Sequence, residues 1–249
     1  YLQFSPGVTY GMNWFFQQNE KFYDSETGTV QSEIGDIFSH FGATTDFSAS
    51  MSMSTTIYGF FNFGPRSKIK TIRHMVKPSV SLSYRPEQGT PGNGYRTLTY
   101  VDNNGVEKRQ DYNIYENMVF GFPSRGSSAS MNFSLGNNFE AKVVSKSDTT
   151  DGGFKKIKLI DNLNFSGSYN FLADSLKLSN ISASMSTTIF GSLAFNANAT
   201  FNPYAVDNQG RTYNKLNFME HGLGQLARLT NASVSLSYQL SGGGERKGS

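Results

Sequence analysis

The chain has no cysteine among its 249 residues. That excludes disulfides and thiolate metal sites from this segment, and it does not choose a compartment. Long apolar runs are also missing. Nothing approaches the roughly 20 consecutive residues that a spanning helix needs, and mean hydropathy is −0.42, so a helical membrane protein is excluded. Net charge is only +3 at pH 7, which leaves no electrostatic footprint for nucleic acid. Histidine is scarce: 3 residues, His40, His74 and His221, lie far apart. Abundant serine has no catalytic setting, and no metal-ligand spacing or nucleotide loop is legible, so the reading is a non-enzyme with no cofactor. A phospholipase-type Ser–His pair stays open, because spatial neighbours are hidden in sequence. No secretory signal opens the chain, so it reads as processed or as an internal segment.

What is present is alternation. From Ile181 to Phe201 the odd positions hold Ile181, Ala183, Met185, Ile189, Leu193, Phe195, Ala197, Ala199 and Phe201, while Ser182, Ser184, Ser186, Thr188, Ser192, Asn196, Asn198 and Thr200 fall on the even ones. Successive strand side chains point to opposite faces, so such a ribbon is apolar on one side and wet on the other. A single strand of that length exceeds the usual soluble strand and suits a membrane wall. Comparable segments lie near 1–16, 44–63, 72–84, 129–144, 158–171 and 230–240. A weaker one, 112–122, carries Glu116 on its apolar parity. Including it makes long connections (from Gln17, Arg85, Ser145 and Asn202) alternate with short ones (64–71, 123–128 and 172–178), as bacterial barrels require.

The expected fold class is therefore all-β: an antiparallel transmembrane β-barrel wall of about eight strands within one domain. The wet parity includes Ser50, Ser52, Ser54, Ser81, Ser83, Asn132, Ser134, Ser166, Ser184, Ser186, Asn196 and Asn198. These groups are too small to fill a closed eight-stranded barrel, whose interior is just wide enough for side chains. They suit a hydrated lumen, so the chain is expected to be a slice of a larger barrel. The tail 242–249 is no closing strand.

Charge and chain-breakers mark further candidates. Arg66, Lys68, Lys70, Arg73 and Lys77 cluster at a short turn, where they meet lipid phosphates or a partner domain, or simply solvate a periplasmic turn. Lys155, Lys156 and Lys158 are expected to end an outer loop, where they meet lipid phosphates or are simply solvated. Pro78 removes a ladder donor and marks a bulge or weak pairing. His74 reads as an interfacial ring. Trp14, Phe16, Tyr58, Phe60 and Tyr84 fit aromatic girdles. Asp102-Asn103-Asn104-Gly105 and Asp207-Asn208-Gln209-Gly210 read as tight turns, each giving its loop a small hairpin. Ser52–Ile57 repeats as Ser184–Ile189, and Ser79–Tyr84 as Ser233–Tyr238; both copies are expected five strands apart.

The run from Lys70 to Pro86, with Arg73-His74 and Pro78-Ser79, resembles a strand of LptD, the lipopolysaccharide-assembly family of the Gram-negative outer membrane, in its Bacteroidetes-type members. Phe120–Gly126, Asn137–Val143, Asp161–Leu163, Asn202–Asp207 and Arg228–Ser233 follow in the family's order. The resemblance implies a larger barrel of which this is the middle wall, and a periplasmic jellyroll outside this chain. It also implies an LptE-type lipoprotein plug, periplasmic bridge proteins, and lipopolysaccharide and outer-membrane lipids as partners. By that resemblance, lipopolysaccharide passes through a hydrated lumen to the outer leaflet. A general porin, another barrel transporter or a β-rich surface adhesin would carry the same alternation.

Overall fold

The computed structural model describes residues 2–145, 153–189, 191–222 and 224–238. Their strands, in chain order, are β1 (Gln3–Phe15), β2 (Asn19–Asp24), β3 (Thr29–Ile34), β4 (Gly42–Ser54), β5 (Ile57–Asn62), β6 (Ile69–Arg85), β7 (Tyr95–Val101) and β8 (Glu107–Asn113). They continue as β9 (Ser128–Val144), β10 (Phe154–Asn170), β11 (Ile181–Ile189), β12 (Leu193–Asn202), β13 (Tyr204–Val206), β14 (Thr212–Leu216) and β15 (Arg228–Tyr238), with one short helix, α1 (Asn217–His221). Among the described residues no helix is long and apolar enough to cross a membrane.

The fold is all-β. Its 9-stranded sheet has the order β1-β4-β6-β9-β10-β11-β12-β15, with β5 also on β6. Since β4 and β5 share one row along β6, nine strands make eight rows. The order is open, with β1 and β15 at its ends. The chain forms two compact units: Tyr1–Ser5 with Met51–Leu82 and Ser130–Ser249, and Pro6–Ser50 with Ser83–Ala129.

Ile181 pairs with Phe201 and Ile189 with Leu193, so the expected single strand 179–201 is in fact the hairpin β11–β12. Gly191, at φ 75, supplies the left-handed residue of its turn. The turn contains an odd number of residues, which preserves parity across it; alternation alone cannot reveal the reversal. The segment 44–63 also divides, at Thr55–Thr56, into β4 and β5. Opposite that break stands Pro78, whose carbonyl accepts the Thr55 N–H at 3.3 Å. β6 itself runs unbroken past the proline, and the break in the adjoining row stands beside it.

At one end of the first unit lie 63–68 and the strand ends Val144, Phe154, Ile189 and Leu193; at the other lie 171–180 and the strand ends Asn202 and Arg228. The 145 connection is therefore on the side of 64–71, and 172–178 on the opposite side, which reverses both expectations. The connection 203–227 contains the hairpin β13–β14, turned at Asp207 as expected. Asp207 Oδ1 accepts the Gln209 and Arg211 N–H groups at 2.9 and 2.8 Å. Ser52–Ile57 and Ser184–Ile189 sit four rows apart rather than five, while Ser79–Tyr84 and Ser233–Tyr238 keep their five.

In the second unit, β2–β3 and β7–β8 are separate two-stranded hairpins. Asp102 Oδ1 holds the expected turn by accepting the Asn104 and Val106 N–H groups, both at 2.9 Å. The expected sheet strand 112–122 does not form. β8 ends at Asn113, whose Oδ1 accepts the Tyr115 N–H at 2.9 Å, and turns follow. Ile114 and Tyr115 are buried with Phe15, the Tyr115 ring stacked on it at 4.1 Å. Glu116, the residue out of pattern, pairs with Lys21 at 2.6 Å. Tyr112, Met118 and Phe122 pack against this local protein core, while Val119 and Phe120 remain exposed. Consequently 123–128 closes a long connection and is not a short turn of its own.

Candidate functional site

Strand alternation and pairing place the small polar residues of the first unit on one face of the sheet. Ser79 and Ser134 hydroxyls share a hydrogen bond at 2.7 Å between β6 and β9. Ser134 stands opposite Ser166, Ser166 opposite Ser182, and Asn164 opposite Ser184. Ser184 then faces Asn198, and Ser186 faces Asn196. Asn198 faces Ser233, and Asn196 faces Ser235, on β15. A rank of hydroxyls and amides thus crosses from β6 to β15. A groove of about 360 Å³ along it is lined by Ser81, Asn132, Ser134, Ser166 and Ser182 among others. A second, of about 670 Å³, brings Ser54, Lys77, Pro78 and Ser79 together. Ser52 Oγ donates to the Ser5 carbonyl at 3.5 Å. In the second unit, Ser50 and Ser83 continue the parities of β4 and β6.

The opposite face is apolar. Leu135 stands opposite Phe165 and Leu163 opposite Met185. Phe133 stands opposite Gly167, where a Cβ would meet the phenyl ring at 2.7 Å and Ile181 at 2.8 Å. The glycine leaves the ring its space. His74 stacks on Phe139 with centroids 4.1 Å apart and shares a hydrogen bond with Asn137 Oδ1 at 3.0 Å, so it is a ring of this face.

The basic residues are distributed differently from the sequence expectation. Arg73 pairs with Glu140 at 2.7 Å. Glu140 stands opposite Lys158, and Lys142 opposite Lys156. Two register shifts in β10, between Lys158 and Ile160 and between Ile160 and Leu163, return Ile160 to Phe139 and keep the lysines on the polar face. Lys158 also pairs with Asp161 at 3.0 Å, whose Oδ2 accepts the Thr188 N–H at 3.0 Å.

The end holding 63–68 therefore also holds Lys156 and Lys158, which were expected on the far side; the Val144 N–H donates to the Lys68 carbonyl at 2.9 Å. The physical reason is the strand that does not form: one strand fewer before β9 exchanges the two ends, until the β11–β12 hairpin adds a strand and restores them. Lys155, opposite Val143, lies on the other face. Lys70 reaches the Pro65 carbonyl across its own turn. Phe60 stands opposite Arg73 and Tyr58 opposite Met75, on the polar parity of β5, so these two rings are not part of a lipid-facing girdle. Lys142 was absent from the sequence candidates; its ammonium lies 4.6 Å from the Phe154 ring centroid. The signal that would have found it is the pairing of 142 with 156, which period-two reading cannot give.

A cleft of about 600 Å³ at this end is lined by Phe60, Asn62, Thr71, Arg73, Lys142 and Lys156, with Glu140 and Ala141. Among the described residues no group of three metal-ligating side chains occurs.

Neither the curated proteins nor the solved structures compared contain a match to the chain. The family described as LptD protein matches residues 1–204, which is most of the 249 and includes the β6, β9 and β10 segments that carry the polar face. With that match and an open antiparallel sheet of alternating parity, the chain belongs to the LptD family, whose role is lipopolysaccharide assembly at the outer membrane.

Proposed function

We propose that this chain forms middle wall of a larger, multi-pass outer-membrane barrel, of the Bacteroidetes type, through which lipopolysaccharide reaches the outer leaflet. The observation that carries the reading is the rank of Ser and Asn side chains running unbroken from β6 to β15, backed by an apolar parity. Hydroxyls and amides exchange hydrogen bonds with sugars and water at little cost, so a face of this kind suits a hydrated lumen. The other face suits acyl chains. Conduction on this reading needs no reacting group in the wall, and its energy comes from elsewhere. Short connections belong to the periplasmic side and long ones to the outside. That puts 63–68 and 190–192 toward the bridge proteins and 203–227 at the cell surface. An LptE-type plug would contact the polar face.

The test is depletion of the full-length parent protein in its host, followed by assay of newly made lipopolysaccharide at the surface. Loss of surface lipopolysaccharide with accumulation in the inner membrane supports the reading. Normal surface lipopolysaccharide with reduced uptake of small solutes would make the wall a porin's.

A further inference from the structure

Resting on the reading of the apolar parity as lipid-facing, we infer that the turn Asp36–Ser39 is a lipid anchor, which sets the rings of Phe16, Phe38 and Phe41 at the headgroup–acyl boundary of the outer leaflet. All of it belongs to the second unit. The Ser39 N–H closes the turn on the Asp36 carbonyl at 3.0 Å, and the Gly35 N–H ties its base to the Gln18 carbonyl at 3.1 Å. Phe38, the third residue of this turn, adopts φ 67. Positive φ at that place is ordinarily supplied by glycine or asparagine, and a bulky side chain there is strained. Burial within the protein does not offset the strain, because Phe38 is 79% exposed, with Ile37 68% and Phe41 66% exposed beside it. A costly backbone conformation held by an exposed aromatic points to a contact outside the fold.

Continuity with the sheet fixes what the turn meets. The Phe16 ring lies 5.4 Å from that of Phe38 and 5.6 Å from that of Phe41. Phe16 continues the even parity of β1, on which Val8, Tyr10, Met12 and Trp14 are exposed. A Cβ on Gly7 would lie 2.8 Å from Ser50 Oγ, and that register leads to Phe16 beside Phe41 at the strand ends, on the parity of Phe47. Phe15, one residue earlier, points to the other face and is buried against Tyr115. One ring of the pair thus serves the protein core, and the next is left to whatever covers the apolar face. The connection 16–41 between β1 and β4 is long, which belongs to the outside in bacterial barrels, and rings at that end of a lipid-facing row stand at girdle level. The turn adds Ile37 and Phe38 to that level from beyond the strands themselves.

The experiment places the photoreactive p-benzoyl-phenylalanine singly in the full-length protein, in the native outer membrane, and identifies each adduct by mass. Phe38→p-benzoyl-phenylalanine should give lipid adducts on irradiation. Asn104→p-benzoyl-phenylalanine, in the exposed turn of β7–β8, should give none. A protein adduct at position 38, or lipid adducts no more frequent than at position 104, overturns the anchor. Val8→p-benzoyl-phenylalanine, on the same parity of β1, judges the lipid-facing reading by itself. Lipid adducts at position 8 without them at position 38 sink the anchor and leave the wall, while none at either position sinks the wall as well. Phe38→Gly removes the ring and suits the turn, so hydrogen-exchange protection of the β2–β3 amides should hold. A drop in that protection would give the ring a structural role and overturn the inference. Depletion tests lipopolysaccharide transport separately, and lipid adducts at position 38 stand whatever it shows.

Discussion

At Gly94 the backbone adopts φ 83, and an added Cβ would lie 2.7 Å from the Tyr115 ring. Substitution with alanine therefore combines left-handed strain with a clash against a buried aromatic. Gly94→Ala should lower the opening free energy of the neighbouring β7–β8 amides by about 1–3 kcal/mol, read as hydrogen-exchange protection in the full-length protein. Asn93 beside it is buried; its Nδ2 donates to the carbonyls of Thr45 and Gln88 at 3.0 and 3.1 Å, and its Oδ1 accepts the Thr45 N–H at 2.7 Å. The amide both donates and accepts there. Gly167→Val is the matching test on the apolar face. Phe133 and Ile181 must both move, and overpacking of that kind costs roughly 1–3 kcal/mol. The urea midpoint of the lipid-reconstituted full-length protein should fall; an unchanged midpoint would mean the ring has room to spare.

The β7–β8 hairpin is held to its neighbours by ionised carboxylates. Glu87 is held below its ordinary 4.5, first by the Gly126 N–H and then by the Gly89 N–H, with Arg125 and Arg85 adding. Asp111 is held below 3.8, first by the Thr97 hydroxyl and then by Arg125. Both shifts are downward, so the folded form favours the charged carboxylates. Their contribution is complete above the ordinary carboxylate range and is lost as pH falls through and below it. Exchange protection across 87–126, corrected for intrinsic rates, should hold to about pH 5 and fall by about pH 3; protection independent of pH would deny these groups a role. This element also marks the limit of sequence reading. Period-two alternation is local, so the main strands and the Asp-Asn turns were legible. Apart from Glu116, Tyr112 to Phe122 alternates as a lipid-facing strand would, yet Ile114 and Tyr115 bury against Phe15. Alternation reports two-sidedness without saying what covers the apolar side. The β11–β12 reversal was hidden by its parity-preserving turn. One strand too many and one too few left the count of eight rows correct while the ends between them were exchanged. The convergence of Arg73, Lys142 and Lys156 depends on those ends and could not be read in advance.

The sheet as a whole leaves large apolar side chains uncovered. Val8 is 71% exposed on β1 and Val234 is 64% exposed on β15. Two edge rows of this kind invite pairing with other chains. The isolated segment should therefore fail to unfold as a cooperative monomer in detergent-free buffer, and a single sharp monomeric transition would contradict the wall reading. Because the chain lacks cysteine, sidedness can be tested within this segment by single introduced thiols. Asn208→Cys, in the long connection, should react with an impermeant maleimide on intact cells. Ser67→Cys, in the short one, should react only after the outer membrane is opened. The loop unit has its own consequence. Tyr23 bonds Asn103 at 2.9 Å, the Asn19 N–H reaches the Ile114 carbonyl at 2.6 Å, and Asn93 holds Thr45. Residues distant in the chain are thereby presented as neighbours, so an antibody meeting this surface reads a discontinuous epitope. Sera raised against linear peptides from 86–127 should stain the denatured protein on a blot and pass over the native one.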